Sequence, residues 1–363
     1  MARSNIDHEF HNIHEFIKAA HLKLNRYIWD YLIGGAETET TVKRNRAALD
    51  SQAFRPRALV DVSTIDTSHT FFGRDIRLPI ALAPVGSLES FDPGGGATAA
   101  RAAGDYGVPI FVSSVTQPGL ETIAKSGTGP KVFQLYVRGD DDWIGDHAKR
   151  AIDAGYDAFC LTVDTAHLSR RERDIAKRFR KPWQVRNTGM EYQSGLNWNN
   201  VETFKSRHDI PLIIKGIATH EDADRAAAMG VAAVYVSNHG GRQLDHGRGA
   251  LDVLPEVVEA VAGRCLVYVD GGFSRGTDIL KGIALGADLV VIGRLYLYAL
   301  AADGAPGIIR LLEILEDEAT VALGLVGTPS FRDLTKSHLH PAPSVTEPHV
   351  HSAFPLLRLG EGY

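Results

Sequence analysis

The sequence predicts an α/β protein built as a (β/α)8 barrel, the TIM-barrel architecture, with a helical N-terminal segment and a lid between the fourth strand and fourth helix. Three observations carry this. Eight short apolar runs recur along the chain, alanine-rich amphipathic stretches separate most of them, and polar residues gather where the runs end.

The runs are Ile80 to Ala83, Ile110 to Ser113, Val132 to Tyr136, Ala158 to Val163, Leu212 to Lys215, Ala233 to Ser237, Leu266 to Asp270 and Leu289 to Gly293. Helical spacing marks Gly95 to Tyr106, Asp140 to Ala154, His220 to Met229, Val253 to Ala262 and Gly276 to Leu285. The carboxyl ends of the runs hold Gln134 and Tyr136, Thr162 and Asp164, Lys215, Ser237 with His239, Asp270 with Gly271 and Gly272, and Gly293 with Arg294. That edge is the catalytic face of such a barrel.

With 363 residues, 44% of them hydrophobic and 23% charged, the chain can bury one large core and reads as a single domain. Residues 1–75 form the N-terminal segment, with helices expected over Asn12 to Ala20 and Lys23 to Leu32 before the polar turn Gly34-Gly35-Ala36-Glu37. Residues 76–328 form the barrel. Residues 329–363, with Pro329, Pro341, Pro343 and Pro348, read as an arm that packs on a neighbouring subunit. Between the fourth and fifth runs, Ser169 to Asn200 is too long for a plain connection and carries Arg170, Arg171, Arg173, Lys177, Arg178, Arg180 and Lys181, as an active-site lid would.

A net charge of -5 gives no nucleic-acid footprint. The most apolar region, Ala287 to Ala302, is interrupted by Asp288 and Arg294, so no membrane span is expected. The polar start, Met1 to His8, lacks a secretion core, which points to the cytoplasm. Cys160 and Cys265 lie in or beside strand-like runs and read as small buried hydrophobes kept reduced. Histidines cluster at both ends (His8, His11, His14; His338, His340, His349, His351) without an ordered set of Cys or acidic ligands, so no metal is expected.

The richest segment is Ser237-Asn238-His239-Gly240-Gly241-Arg242-Gln243-Leu244-Asp245, directly after the sixth run. It sets an imidazole that can abstract a proton near neutral pH close to a guanidinium whose fork can hold a carboxylate by two parallel bonds. The pairing suits oxidation or deprotonation next to a carboxylate. A phosphate site is legible separately, because barrels bind phosphate between the loops after strands seven and eight. Here those loops are Asp270-Gly271-Gly272-Phe273-Ser274-Arg275-Gly276 and Gly293-Arg294.

Taken in order, the FQLY, LTVDT, IKG, SNHGGRQLD, DGG and IGR segments make the chain similar, from about Tyr27 to Ser337, to the FMN-dependent (S)-2-hydroxy acid oxidase and dehydrogenase family, which includes glycolate oxidase, lactate oxidase, mandelate dehydrogenase and the flavin domain of flavocytochrome b2. The resemblance implies bound FMN, oxidation of a 2-hydroxy acid to the 2-oxo acid, reoxidation by oxygen or another acceptor, and a homotetramer or homo-octamer. It implies His239 as base, Asp164 as the carboxylate orienting it, Arg171 and Arg242 on the substrate carboxylate, Tyr31 and Tyr136 as hydrogen-bonding tyrosines, and Lys215 beside the flavin. For the cofactor it points to Pro84, Val85, Gly86, Ser113, Gln134, Thr162, Ser237, Asp270, Gly271, Gly272, Gly293 and Arg294.

The chain also departs from the family pattern. Val115 stands where many members have tryptophan, which predicts a wider pocket and a medium or bulky substrate side chain, an aromatic one included. Ser274 stands where the family has a phosphate arginine, with Arg275 next along. Ala166-His167 replaces Pro-Arg, and Gly86 replaces the alanine of efficient oxidases, which leans toward a dehydrogenase or monooxygenase-like outcome. Two other readings stay open. One is a peptide-tailoring FMN oxidase of the mycofactocin-maturation type, against which Arg242 argues. The other is a noncatalytic flavin-binding scaffold, which would have no use for base, lysine and arginines together.

Overall fold

The computed structural model describes residues 9–179 and 189–357; His8, Arg180, Lys181 and both chain ends lie outside them. Eight parallel strands close into a barrel: β1 (Ile80–Leu82), β2 (Ile110–Ser113), β3 (Lys131–Leu135), β4 (Ala158–Thr162), β5 (Leu212–Ile217), β6 (Ala233–Val236), β7 (Leu266–Val269) and β8 (Leu289–Ile292). Pairing of Val290 with Ile80 joins β8 to β1 and removes the sheet's edges. The strands are buried almost throughout, which is why they read as unbroken apolar runs.

β5 runs past its predicted end. Its register slips between Lys215 and Ile217, at Gly216, whose φ is 111°. A Cβ there would lie 2.7 Å from the Asp164 Cβ, so the missing side chain lets the end of β4 approach.

Other elements gave no sequence signal. A hairpin, His69–Phe71 with Arg74–Ile76, precedes β1 and stacks buried Phe71 on Tyr268 at 6.1 Å. The helix Thr40–Asp50 has a polar sequence but is pinned by a buried ion pair between Arg46 and Asp278 at 2.7 Å. The arm is fastened in part to its own chain. Leu339–Pro341 pairs antiparallel with Gln52–Phe54, and the chain then returns so that Phe354 meets His14 edge-on at 5.6 Å. The helix Arg294–Val326 is long and apolar enough to cross a bilayer by length alone, yet it breaks at Asp303 and Gly304, and 72% of its apolar window is buried in the fold.

Candidate active site

The loop after β6 turns through three consecutive left-handed residues, His239 (φ 57°), Gly240 (φ 63°) and Gly241 (φ 74°). For a histidine this conformation costs about 1 kcal/mol or more, and surrounding structure must impose it. Asn238 does part of this, accepting from the Gly241 N–H at 3.1 Å and exchanging amide hydrogen bonds with Asn45 at 2.7 and 2.9 Å. Gly241 itself lies so close to the Val42 amide nitrogen that a Cβ would sit 2.6 Å away.

Held this way, His239 meets a carboxylate on one ring nitrogen and a phenol at the mouth of the cleft on the other. Its Nδ1 lies 3.0 Å from Asp164 Oδ1, and its Nε2 lies 3.2 Å from the Tyr136 hydroxyl. Burial, with Asp164 adding, raises the Tyr136 phenol, so the phenol stays protonated and can offer a hydrogen bond to Nε2 when Nδ1 carries the imidazole proton. Burial works to raise the Asp164 carboxyl, but Lys215 and His239 outweigh it and keep it below its ordinary value. Burial, with Lys215 and Arg171 adding, pushes His239 below the ordinary imidazole value against the pull of Asp164. The outcome is a neutral imidazole beside an anion, as a proton acceptor requires.

Three arginines share the opposite wall. The Arg242 guanidinium lies 4.6 Å above the Tyr31 ring and donates to the carbonyls of Tyr31 (2.6 Å) and Gly34 (2.9 Å). Arg294 donates to Leu32 (3.1 Å), Gly240 (2.8 Å) and the same Gly34 carbonyl (2.7 Å). Arg171 reaches Ser169 Oγ at 3.2 Å. The carbonyl-rich C-terminal end of the helix Arg26–Ile33 thus receives two of the three guanidiniums. Burial, and then the neighbouring Arg242 charge, depresses both Arg171 and Arg294 to about 10, so the cluster carries positive charge crowded enough to favour an anion.

A cleft of about 1490 Å³, its open mouth included, joins these groups to the loops after β7 and β8. Tyr31, Pro84, Val85, Gly86, Val115, Tyr136, Arg171, Lys215, His239, Arg242, Asp270, Gly271, Gly272, Ser274, Gly293 and Arg294 all line it. Asp164, Ser113, Gln134, Thr162 and Ser237 sit behind that wall. Gln134 donates to Thr162 Oγ1 at 2.8 Å, the Val115 N–H donates to Ser113 Oγ at 3.4 Å, and Ser237 Oγ accepts from Lys215 at 3.0 Å. Arg275 is not brought in; it pairs with Glu318 at 2.6 Å. Gly86 is packed on Val115, so that a Cβ would sit 2.7 Å from Val115 Cγ2. The small residue at 86 therefore goes with the branched residue at 115.

Sequence reasoning missed Arg46, which lines the cleft and donates to the Gly272 carbonyl at 3.2 Å, and His349, Val350 and Phe354, by which the arm lines the cleft. Arg46 lies 226 residues from Gly272 in a helix with no apolar pattern, so nothing local betrayed it.

The cleft fits FMN on the chain's own chemistry. Among the described residues, Gln134 Oε1 and Asp270 Oδ1 are buried acceptors without a donor. A flavin ring N–H and a ribityl hydroxyl are donors of the kinds they lack. Gly271 (φ 105°) and Gly272 (φ 86°) take left-handed turns on the same cleft as Arg294, a backbone arrangement that suits amide contacts to a phosphate.

Residues 20–341 match the family described as FMN-dependent dehydrogenase. The chain is 39% identical to glycolate oxidase 3 of Arabidopsis thaliana, with 91% of this chain and 96% of that protein covered. It is 40% identical to glycolate oxidase 1 of Oryza sativa subsp. indica, covering 92% and 96%. Among solved structures, mandelate oxidase with (S)-2-phenylpropionate superposes with a TM-score of 0.86 at 39% identity over 93% of this chain and 100% of that one. A mandelate oxidase variant carrying a C4a-OH-FMN adduct does so at 0.84 and 40%, over 92% and 100%. Fold, cleft chemistry and these likenesses agree, and the chain belongs to the FMN-dependent dehydrogenase family, the family of FMN-dependent 2-hydroxy acid oxidases.

Proposed function

We propose that the protein oxidises (S)-2-hydroxy acids with a medium or bulky side chain to 2-oxo acids. FMN-dependent oxidation of (S)-2-hydroxy acids follows from the family; the choice of side chain rests on Val115 and the open cleft beside it. The observation that carries the reading is the joint placement of His239, backed by Asp164 at 3.0 Å, with Arg171 and Arg242 on one cleft. A peptide or scaffold reading gives that set no task.

FMN, when bound, supplies the two-electron acceptor. Arg242 and Arg171 hold the substrate carboxylate and fix which face of C2 meets His239. His239 Nε2 takes the proton lost from the α-carbon or its hydroxyl, and Asp164 stabilises the imidazolium through Nδ1–H. Tyr136 and Tyr31 hydrogen-bond the substrate oxygens, and Lys215 would supply a fixed cation to a bound flavin. Gln134 and Asp270 would accept hydrogen bonds from the cofactor, and Gly271, Gly272, Gly293 and Arg294 would hold its phosphate.

Anaerobic mixing with a panel of 2-hydroxy acids, glycolate through mandelate, tests this: the (S)-acids with larger side chains bleach the flavin fastest, and admitting air separates oxygen from another acceptor. A loaded protein bleached by no 2-hydroxy acid would overturn the reading. The pH dependence has a definite sign. Because His239 must be neutral to accept a proton and burial holds it below the ordinary imidazole value, kcat/KM should rise with pH along an acid limb placed below the usual imidazole range and then level off. An acid limb centred above the ordinary imidazole range would contradict this assignment.

We infer further that the enzyme works in the cytoplasm as a homotetramer or homo-octamer. Free Cys160 and Cys265 suit a reducing compartment, and Val321 and Leu325, one turn apart and 61% and 75% exposed, suit a subunit contact. A monomer mass by light scattering would remove the second part.

A further inference from the structure

Tyr235 lies on β6 with its side chain inside the barrel, fully buried, edge-on to Phe111 at 5.6 Å and Tyr268 at 6.4 Å. Tyr268 keeps its hydroxyl without a partner among the described residues, whereas Tyr235 donates to Asp270 Oδ2 at 2.9 Å. That oxygen also lies 4.0 Å from Lys215 Nζ, and Lys215 Nζ lies 4.0 Å from Asp164 Oδ2 on its other side. The same ammonium donates to Ser237 Oγ at 3.0 Å and sits 5.3 Å from the centre of the Tyr235 ring. One buried cation is thus divided between two carboxylates, one backing the base and the other facing the cofactor cradle, and Tyr235 touches both the cation and the second carboxylate.

We propose that Tyr235 is a positioning residue that sets how Lys215 is divided between Asp164 and Asp270, and thereby sets the basicity of His239. This rests on the reading of His239 as the base. A hydrogen bond donated to Oδ2 makes that oxygen a weaker partner for Lys215, while the ring face holds the cation between the two carboxylates. Without the hydroxyl, Oδ2 draws Lys215 more strongly. Asp164 is then less compensated, and its charge favours the protonated imidazole. The groups facing His239 are Asp164 after β4, Lys215 on β5, Tyr136 after β3 and Arg171 from the lid. Among these, Lys215 and Asp164 are the pair that the Tyr235 hydroxyl redistributes.

Tyr235→Phe removes one oxygen and keeps the ring, so the aromatic core is preserved. In the FMN-loaded variant the acid limb of kcat/KM is expected to move to higher pH by about half a pH unit. The NMR titration midpoint of the His239 ring is expected to move with it. Asp270→Asn removes the competing charge, hands Lys215 to Asp164, and is expected to move the His239 midpoint the opposite way, read by NMR without turnover. Unchanged midpoints in both variants, or shifts of the same sign, would overturn the proposal. Failure of the underlying reading looks different: wild-type kcat/KM would then show no acid limb tracking the His239 midpoint at all.

Discussion

Replacing His239 with alanine is expected to slow anaerobic flavin bleaching by about 10² to 10⁴-fold, with FMN still bound. Retention of FMN follows because the residues assigned to it are others than His239, whose imidazole touches Asp164 and Tyr136. The loss should fall on kcat more than on KM, because the carboxylate clamp is separate from the base. Alanine accepts the left-handed φ of 57° less readily than histidine, so His239→Asn, which tolerates that conformation and lacks the base, serves as the control and should lose bleaching to a similar degree. Stopped-flow absorbance with a saturating substrate measures this, and a variant bleaching within tenfold of wild type would remove His239 from the mechanism.

The second large effect is expected at Arg242. Replacing it with methionine keeps stem length and removes the fork, and the lost carboxylate clamp should lower kcat/KM by about 10² to 10³-fold, mostly through KM. Arg242→Lys should recover only part of this, because an ammonium keeps the charge without the two parallel donors. The decisive measurement is the Kd of a 2-oxo acid, read from flavin absorbance. Equal affinity in wild type and Arg242→Met would show that the substrate carboxylate is held elsewhere.

What the sequence revealed follows the range of its physical signals. The strands were legible because a closed parallel barrel buries both faces of each strand, so an apolar run is the signature of the element itself. His239, Asp164 and Lys215 were legible because each lies at such a run's carboxyl end, where a polar residue is out of place unless the cleft uses it. Arg46 and the Thr40–Asp50 helix were not, since their order comes from Asp278 and Asn238, far along the chain. The arm's return onto its own cleft was hidden for the same reason: it depends on Trp29 and Tyr298 meeting His351 at 5.8 and 5.7 Å, contacts with no local periodicity. Arg275 misled because adjacency to a glycine loop says nothing about direction, and Glu318 takes its side chain.

Gly216 gives the family reading an evolutionary edge. A single base change can turn a glycine codon into one for alanine or valine, and here any side chain would press on Asp164, whose Cβ lies 2.7 Å from where the new Cβ must go. Such a change disturbs the support of the base first and lies away from the phosphate end of the cleft, so the descendant is expected to keep its colour and lose its chemistry. Gly216→Ala protein should therefore bind FMN normally and bleach at least about tenfold more slowly with substrate; bleaching at the wild-type rate would show that the barrel end can absorb the methyl. In a gene duplicate, a residue other than glycine at this position is therefore expected to accompany loss of turnover.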